Sequence, residues 1–150
     1  MRIALASDHA GYDLKQAVSA FLSERGVETV DFGSLAGEIV DYIDPAEKAC
    51  RAVLDGVCDR AVLICGTGIG MSMVANKFPG IRGTLCWNPI TAEMARKHND
   101  SNCLTLGGRV LDIATAREIV RIWLETPFEG GRHLRRLEKL AALEIRNCRS

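Results

Sequence analysis

Three places in this chain have the residue types and spacing that chemistry needs. The first is "LICGTGIGMSMVANK", residues 63–77, where an apolar run stops at Cys65 and Gly66, Gly68 and Gly70 follow at alternate positions before a helix-like segment. Glycines so spaced let the backbone turn tightly and present several N–H groups at a helix N-terminus, which favours a bound anion. A free thiol with a pKa of about 8.5 is only a few per cent thiolate at neutral pH. The helix N-terminus and loop amides are expected to lower that pKa. Cys65 could then remove a proton alpha to a carbonyl while neighbouring N–H groups hold the enediolate oxygen. Thr67 is placed to relay a proton or bind a hydroxyl. A cysteine at a strand end is ordinarily packing, and only its position above the glycines sets Cys65 apart.

The second place is His98-Asn99-Asp100, a polar triplet before an apolar strand and a fitting site for a general acid–base near neutral pH. The other histidines are His9, beside Asp8, and His133, inside an arginine cluster; each of the three could equally be a surface or capping residue. The third place is that cluster. Arg132 and Arg136 lie four apart on one helix face, with Arg135 between them. Two guanidiniums on one face make a phosphate clamp, since each can bond two oxygens.

Other chemistries are excluded. The glycine loop reads G-x-G-x-G, which is neither the dinucleotide fingerprint nor the Walker pattern, so nucleotide binding is a weak reading. The six cysteines (50, 58, 65, 86, 103 and 148) form no C-x-x-C pair and no zinc spacing, so neither a metal nor a cofactor is expected. A thiol-redox role would need a resolving partner, and Cys58 lies seven residues before Cys65, outside the loop. Nineteen basic and nineteen acidic residues cancel, leaving no global field for nucleic acid or an anionic membrane. The tail carries Arg132, Arg135, Arg136, Lys139, Arg146 and Arg149 against Glu138 and Glu144, a local excess without the interleaved aromatics of a nucleic-acid surface. No apolar run spans a bilayer, and the short one in "MRIALASDHAGYDLK" meets Asp8 and His9 too soon for a signal peptide. A cytoplasmic location is expected, with reduced, mostly buried thiols.

At 150 residues with 47% hydrophobic and 25% charged content, the chain reads as one soluble domain, residues 1–150. Five short apolar strands alternate with helices: "RIALAS", "VETVDF", "RAVLIC", "IRGTLC" and "NCLTL". Helices are expected from Gly11 to Arg25, from an Asp44-Pro45-Ala46-Glu47 capping box with Ala49, Cys50, Val53 and Leu54 inward, and from Asn88-Pro89 to about Lys97. A further helix carries Ile113, Ala116, Ile119, Val120, Trp123 and Leu124 inward and ends at Thr126-Pro127. The pattern is an α/β fold, a five-stranded parallel sheet with helices on both faces, whose ligands sit beyond the carboxyl ends of the strands. Asp8, His9, Cys65, Thr67 and Arg109, with Asp41 and Tyr42, should gather on that rim. A terminal amphipathic helix with Leu134, Leu137, Ala141 and Ile145 on one face is expected to pack on a partner subunit rather than on its own domain.

Taken together, "ASDHAGYDLK", "VDY", "ICGTGIGMSMVANK", "ARKHNDSNCLTLGGRV" and "EGGRHLRRLEKL" resemble the ribose-5-phosphate isomerase B family, which includes the galactose-6-phosphate and allose-6-phosphate isomerases. The resemblance implies a Rossmann-like three-layer domain forming homodimers or dimers of dimers, with active sites that draw residues from two subunits. It implies that Cys65 moves a proton between C1 and C2 of a phosphorylated sugar through an enediolate, that Thr67 assists, and that the amides of Gly66, Gly68, Ile69 and Gly70 hold the oxyanion. His98 would open the furanose ring, Asp8 and Tyr42 would contact sugar oxygens, and Asn99 would bind near the reacting carbon. His9, Arg109, Arg132 and Arg136 would hold the phosphate, the last two from the neighbouring chain. Pentose phosphate metabolism would be its setting. Relatives that lack the cysteine carry a glutamate inside the loop; Cys65 with Ile69 fits the thiol type. The one departure is Ile43, where the family commonly has proline. The alternatives are a six-carbon aldose 6-phosphate as substrate, which pocket depth would decide, and a non-catalytic sugar-phosphate sensor, which would need the arginines but not Cys65, Thr67 and His98.

Overall fold

The computed structural model describes residues 1–147; Cys148 and Arg149, counted above, lie outside the described residues. Five strands, β1 (Arg2–Ser7), β2 (Glu28–Asp31), β3 (Arg60–Cys65), β4 (Gly83–Leu85) and β5 (Cys103–Gly107), form one parallel sheet in the order β2-β1-β3-β5-β4. The helices are α1 (Tyr12–Glu24), α2 (Ile43–Leu54), α3 (Ile69–Ala75), α4 (Pro89–Asn99), α5 (Ile113–Glu125) and α6 (Arg132–Asn147). None of the described helices is long and apolar enough to cross a membrane.

The two faces of the sheet bury different kinds of side chain, because alternate strand residues point to opposite sides. Ile3, Leu5, Val62, Ile64, Leu104 and Leu106 meet α1, α4 and α5, where Leu14, Val18, Leu22, Ile119, Val120 and Trp123 complete a core of large groups. Ala4, Ala6, Ala61, Leu63, Cys65 and Cys103 face α2 and α3 through Ala46, Ala49, Cys50, Met71 and Ala75. That side is mostly small residues, so α2 and α3 approach the sheet closely and Cys65 ends its strand on their side. All five described cysteines are free and buried.

Two helices depart from the sequence expectation. The helix expected to open on an Asp44 capping box begins two residues earlier, at Ile43, with Tyr42 rather than Asp44 at the N-cap and no capping side-chain hydrogen bond. Its buried stripe is Ala46, Ala49, Cys50 and Ala52, whereas Leu54 is exposed, a rotation of the inward face. Ile43 takes the first helical position, where proline is at home, and its N–H donates to Asp41 Oδ1 at 3.3 Å. α4 behaves as read, with Asn88 Oδ1 accepting the Thr91 N–H at 2.8 Å, and runs two residues further, to Asn99.

The short edge strand β4 is held by two asparagine side chains. The Asn76 amide accepts the Gly83 N–H at 3.0 Å and donates to the Gly83 carbonyl at 2.9 Å, as a neighbouring strand would. Asn102 accepts the Arg82 N–H at 2.7 Å and donates to the Gly80 carbonyl at 2.9 Å. Alongside β4, Leu137, Leu140, Leu143 and Glu144 of α6 face Ile81, Arg82, Gly83 and Thr84 across a groove of about 280 Å³. The expected stripe of α6 is therefore divided. Leu137 turns toward this groove, while Leu134 and Ile145 are exposed.

Candidate active site

β2 and β3 lie on either side of β1, so the chain crosses over the sheet between them and the carboxyl ends of β1 and β3 open a crevice. Asp8 and Cys65 stand at its two lips, and the Asp8 N–H donates to the Ile64 carbonyl at 3.3 Å. Asp8 is buried, and one of its carboxylate oxygens accepts the Gly11 N–H at 2.9 Å, capping a turn of 3₁₀ helix that presents His9 to solvent.

Cys65 is 4% exposed, and its Sγ accepts the Gly68 N–H at 3.1 Å. Gly68 has φ of 80°, a left-handed conformation that lets the chain fold back over its own strand end. A Cβ there would also come within 2.5 Å of Leu85 Cδ1 and 2.9 Å of the Leu106 backbone. Gly68→Ala is therefore expected to lower stability by about 1–3 kcal/mol and to shift the backbone N–H of residue 68 away from the Cys65 sulfur. Thermal denaturation and turnover measured together check this, and a variant with wild-type values in both would contradict it.

Thr67 Oγ1 accepts the Ile69 N–H at 3.3 Å, so the amides of Gly68 and Ile69 already have acceptors inside the loop. The first-turn amide of α3 at Gly70 has no intrahelical acceptor and, unlike that of the fully buried Met71, lies at a partly exposed residue where a ligand can reach it. Over this loop lies the Tyr42 ring, so near that a Cβ on Gly70 would be 2.9 Å from it. The segment leading to Tyr42 is fastened at its start by Lys15. That lysine is 1% exposed and bonds Asp31 at 2.8 Å and the Ser34 carbonyl at 2.9 Å. On the other side Arg109, whose N–H donates to the Gly66 carbonyl at 2.9 Å, lays its side chain beside Gly66. Asp8, His9, Tyr42, Cys65, Thr67, the glycine loop and Arg109 thus share one rim.

His98, Asn99, Arg132 and Arg136 do not reach it. α4 runs back along the sheet, so its last residues lie at the amino ends of the strands, where the Asn99 and Asp100 carbonyls accept from Arg82 just before β4. The length of β3, roughly 16 Å, separates the two ends. At the amino end His98 stacks on His133, with ring centroids 4.2 Å apart and planes 9° from parallel. Glu129 Oε2 stands 3.9 Å from His98 Nε2 and 3.6 Å from His133 Nε2. Arg132 Nε faces His133 Nε2 at 3.4 Å, and the exposed Arg136 adds charge nearby. Burial above all, then His98, Arg132 and Arg136, push the His133 imidazole below its ordinary pKa, while Glu129 opposes them. Sequence reasoning passed over Glu129 and left His133 undecided. The consecutive glycines before the basic run were the available signal, since Gly130 and Gly131 adopt φ of 66° and 55° and turn the chain onto α4.

Comparison with known proteins is consistent along the whole chain. Residues 3–140 match the Ribose/Galactose Isomerase family. The chain is 46% identical over 145 residues to ribose-5-phosphate isomerase B of Escherichia coli, covering 97% of each. It is 39% identical over 145 residues to a D-erythrulose-4-phosphate isomerase of Pectobacterium atrosepticum, covering 96% of this chain and 95% of that one. Among solved structures, the ribose-5-phosphate isomerase B of Clostridium thermocellum superposes with a TM-score of 0.96 at 48% identity, covering 98% of this chain and 99% of that one.

Proposed function

The chain belongs to the Ribose/Galactose Isomerase family, and from that premise we propose that it interconverts ribose 5-phosphate and ribulose 5-phosphate, the whole chain acting as one isomerase domain. The observation that carries this reading is Cys65, whose sulfur accepts an amide N–H at the mouth of the crevice, beside the open Gly70 amide and Arg109. A thiolate there takes the proton from C2 of the open-chain aldose. The electron pair moves to the C1 oxygen as the enediolate forms; the C2 hydroxyl proton passes to the C1 oxygen, and the carbon-bound proton returns from the thiol to C1 as the C2 carbonyl forms, leaving the ketose. The Gly70 amide and the rest of the glycine loop face the developing negative charge. Thr67 serves the hydroxyl proton, and Asp8 and Tyr42 hold sugar oxygens.

Ring opening comes first and belongs to His98, which takes the proton of the anomeric hydroxyl and gives one to the ring oxygen as the C1–ring oxygen bond breaks. Because His98, Asn99, Arg132 and Arg136 lie a sheet's length from Cys65 in one chain, two copies complete one site. The amino end and α6 of one lie on the carboxyl rim of the other, and Arg132 and Arg136 join His9 and Arg109 around the phosphate. The exposed leucines of α6 support such pairing.

Proton NMR with ribose 5-phosphate in heavy water tests the reaction. The expected result is ribulose 5-phosphate at enzymatic rates with deuterium at the transferred position. Product without deuterium would favour hydride shift. No product from ribose 5-phosphate, with turnover of a four-carbon or six-carbon sugar phosphate, would reassign the substrate; the family includes a relative named for erythrulose 4-phosphate. Inertness toward all of them would leave the sensor.

A further inference from the structure

The cluster of His98, Glu129 and His133 brings one donor atom from each residue within 4.8 Å of the others, the spacing of a metal site. Its geometry argues otherwise. Imidazole nitrogens coordinate in the ring plane, about 2.1 Å from an ion. Rings 4.2 Å apart and 9° from parallel send those lone pairs side by side rather than to one point. Stacking is what the arrangement does well.

We infer that His133 is a positioning residue: its imidazole, stacked on His98 beside the Glu129 carboxylate, fixes the plane in which His98 passes protons to and from the sugar. The inference rests on His98 opening the ring, as proposed above. His133 is 3% exposed and cannot itself meet a substrate, whereas His98 is half-buried and open to one. A histidine at the end of a helix turns freely about its terminal torsion unless something holds the ring. Here the hold is built from two directions. Gly130 and Gly131 swing the start of α6 back onto α4, and the Glu129 N–H donates to the Lys97 carbonyl at 3.1 Å, tying the turn to the last residues of that helix.

The charges around His133 agree with this use. It faces His98 from α4, Glu129 from the turn, and Arg132 and Arg136 from its own helix. Burial and the cations favour the neutral ring over the effect of Glu129. Two stacked imidazolium ions would repel, while a neutral ring offers its π face to a charged neighbour. His133 can therefore stay against His98 while His98 gains and loses a proton. Its Nδ1 is buried without a hydrogen-bond partner, a polar cost that a residue serving only as core would not need.

Three substitutions test the inference: His133→Ala removes the ring, His133→Gln keeps polarity and bulk without a ring, and His133→Phe restores a stacking surface that cannot titrate. On ribose 5-phosphate, Ala and Gln are expected to lower kcat about tenfold or more with KM within about twofold, and Phe to recover to within about threefold of wild type. Carbon-13 relaxation of the His98 ring is expected to show mobility in Ala and Gln and order in Phe. Equal kcat losses in Ala and Phe, a loss carried wholly by KM, or an ordered His98 ring in the Ala variant would each overturn the proposal. If wild-type protein does not turn over ribose 5-phosphate, the proposed reaction fails, and the relaxation measurement still decides whether His133 orders His98.

Discussion

Cys65→Ala is expected to lower kcat about a thousandfold while substrate still binds. The substitution removes one sulfur from a neighbourhood of small groups, beside alanines at 4 and 6 and Met71, so the fold should lose no more than about 1–2 kcal/mol. The crevice, its amides and the flanking Arg109 remain, since the Gly108 N–H bonds the backbone carbonyl of residue 65 at 2.8 Å and not its side chain. What disappears is the thiol at the end of β3 that the proposed mechanism uses to take the proton from carbon. Calorimetric titration with ribose 5-phosphate alongside turnover separates the two effects. Cys65→Ser sharpens the test, because a hydroxyl keeps the shape but is far too weak an acid to supply an anion at neutral pH. Wild-type turnover in either variant would remove Cys65 from the mechanism.

A second large effect is expected from mixing two inactive proteins. Cys65→Ala and His98→Ala are each expected to disable every site when expressed alone. If each site takes Cys65 from one copy and His98 from the other, a mixed dimer carries both changes in one site and neither in the second. Random reassociation should then restore about a quarter of wild-type activity. If each chain holds a complete site, mixing restores nothing. The distance between the residues makes the outcome sharp, because no side-chain movement spans a gap of roughly 16 Å within one chain.

Much of this was legible in the sequence, and the parts that were not share a cause. β1 and β3 were readable to the residue because fully buried parallel strands are continuous apolar runs with polar bounds. The rim was readable for a topological reason: residues just after strands must lie at carboxyl ends. The same reasoning places His98, at the end of a helix and before a strand, at the opposite end, which the local polar pattern conceals. The Asp44 capping box matched a local motif, but the helix starts at Ile43 with Tyr42 as its N-cap and the Tyr42 ring over Gly70, a contact between distant segments that a local motif does not encode. The His98–His133 stack joins residues 35 positions apart on helices that meet end to end, and neither periodicity nor composition encodes such a meeting.

The asparagine clasp on β4 bears on how the protein behaves when crowded. A parallel sheet ends in a strand with unpaired amides and carbonyls on its outer side, which can recruit a strand from any partly unfolded neighbour. β4 is only three residues long, and Asn76 occupies both hydrogen-bonding groups of Gly83, while Asn102, which leads into β5, takes the Arg82 N–H and the Gly80 carbonyl. At Gly83 the Asn76 side chain thus imitates a sixth strand without offering an edge of its own. A strand added at Gly83 must first displace the Asn76 amide, so this side of the sheet, next to α6, meets its surroundings through side chains.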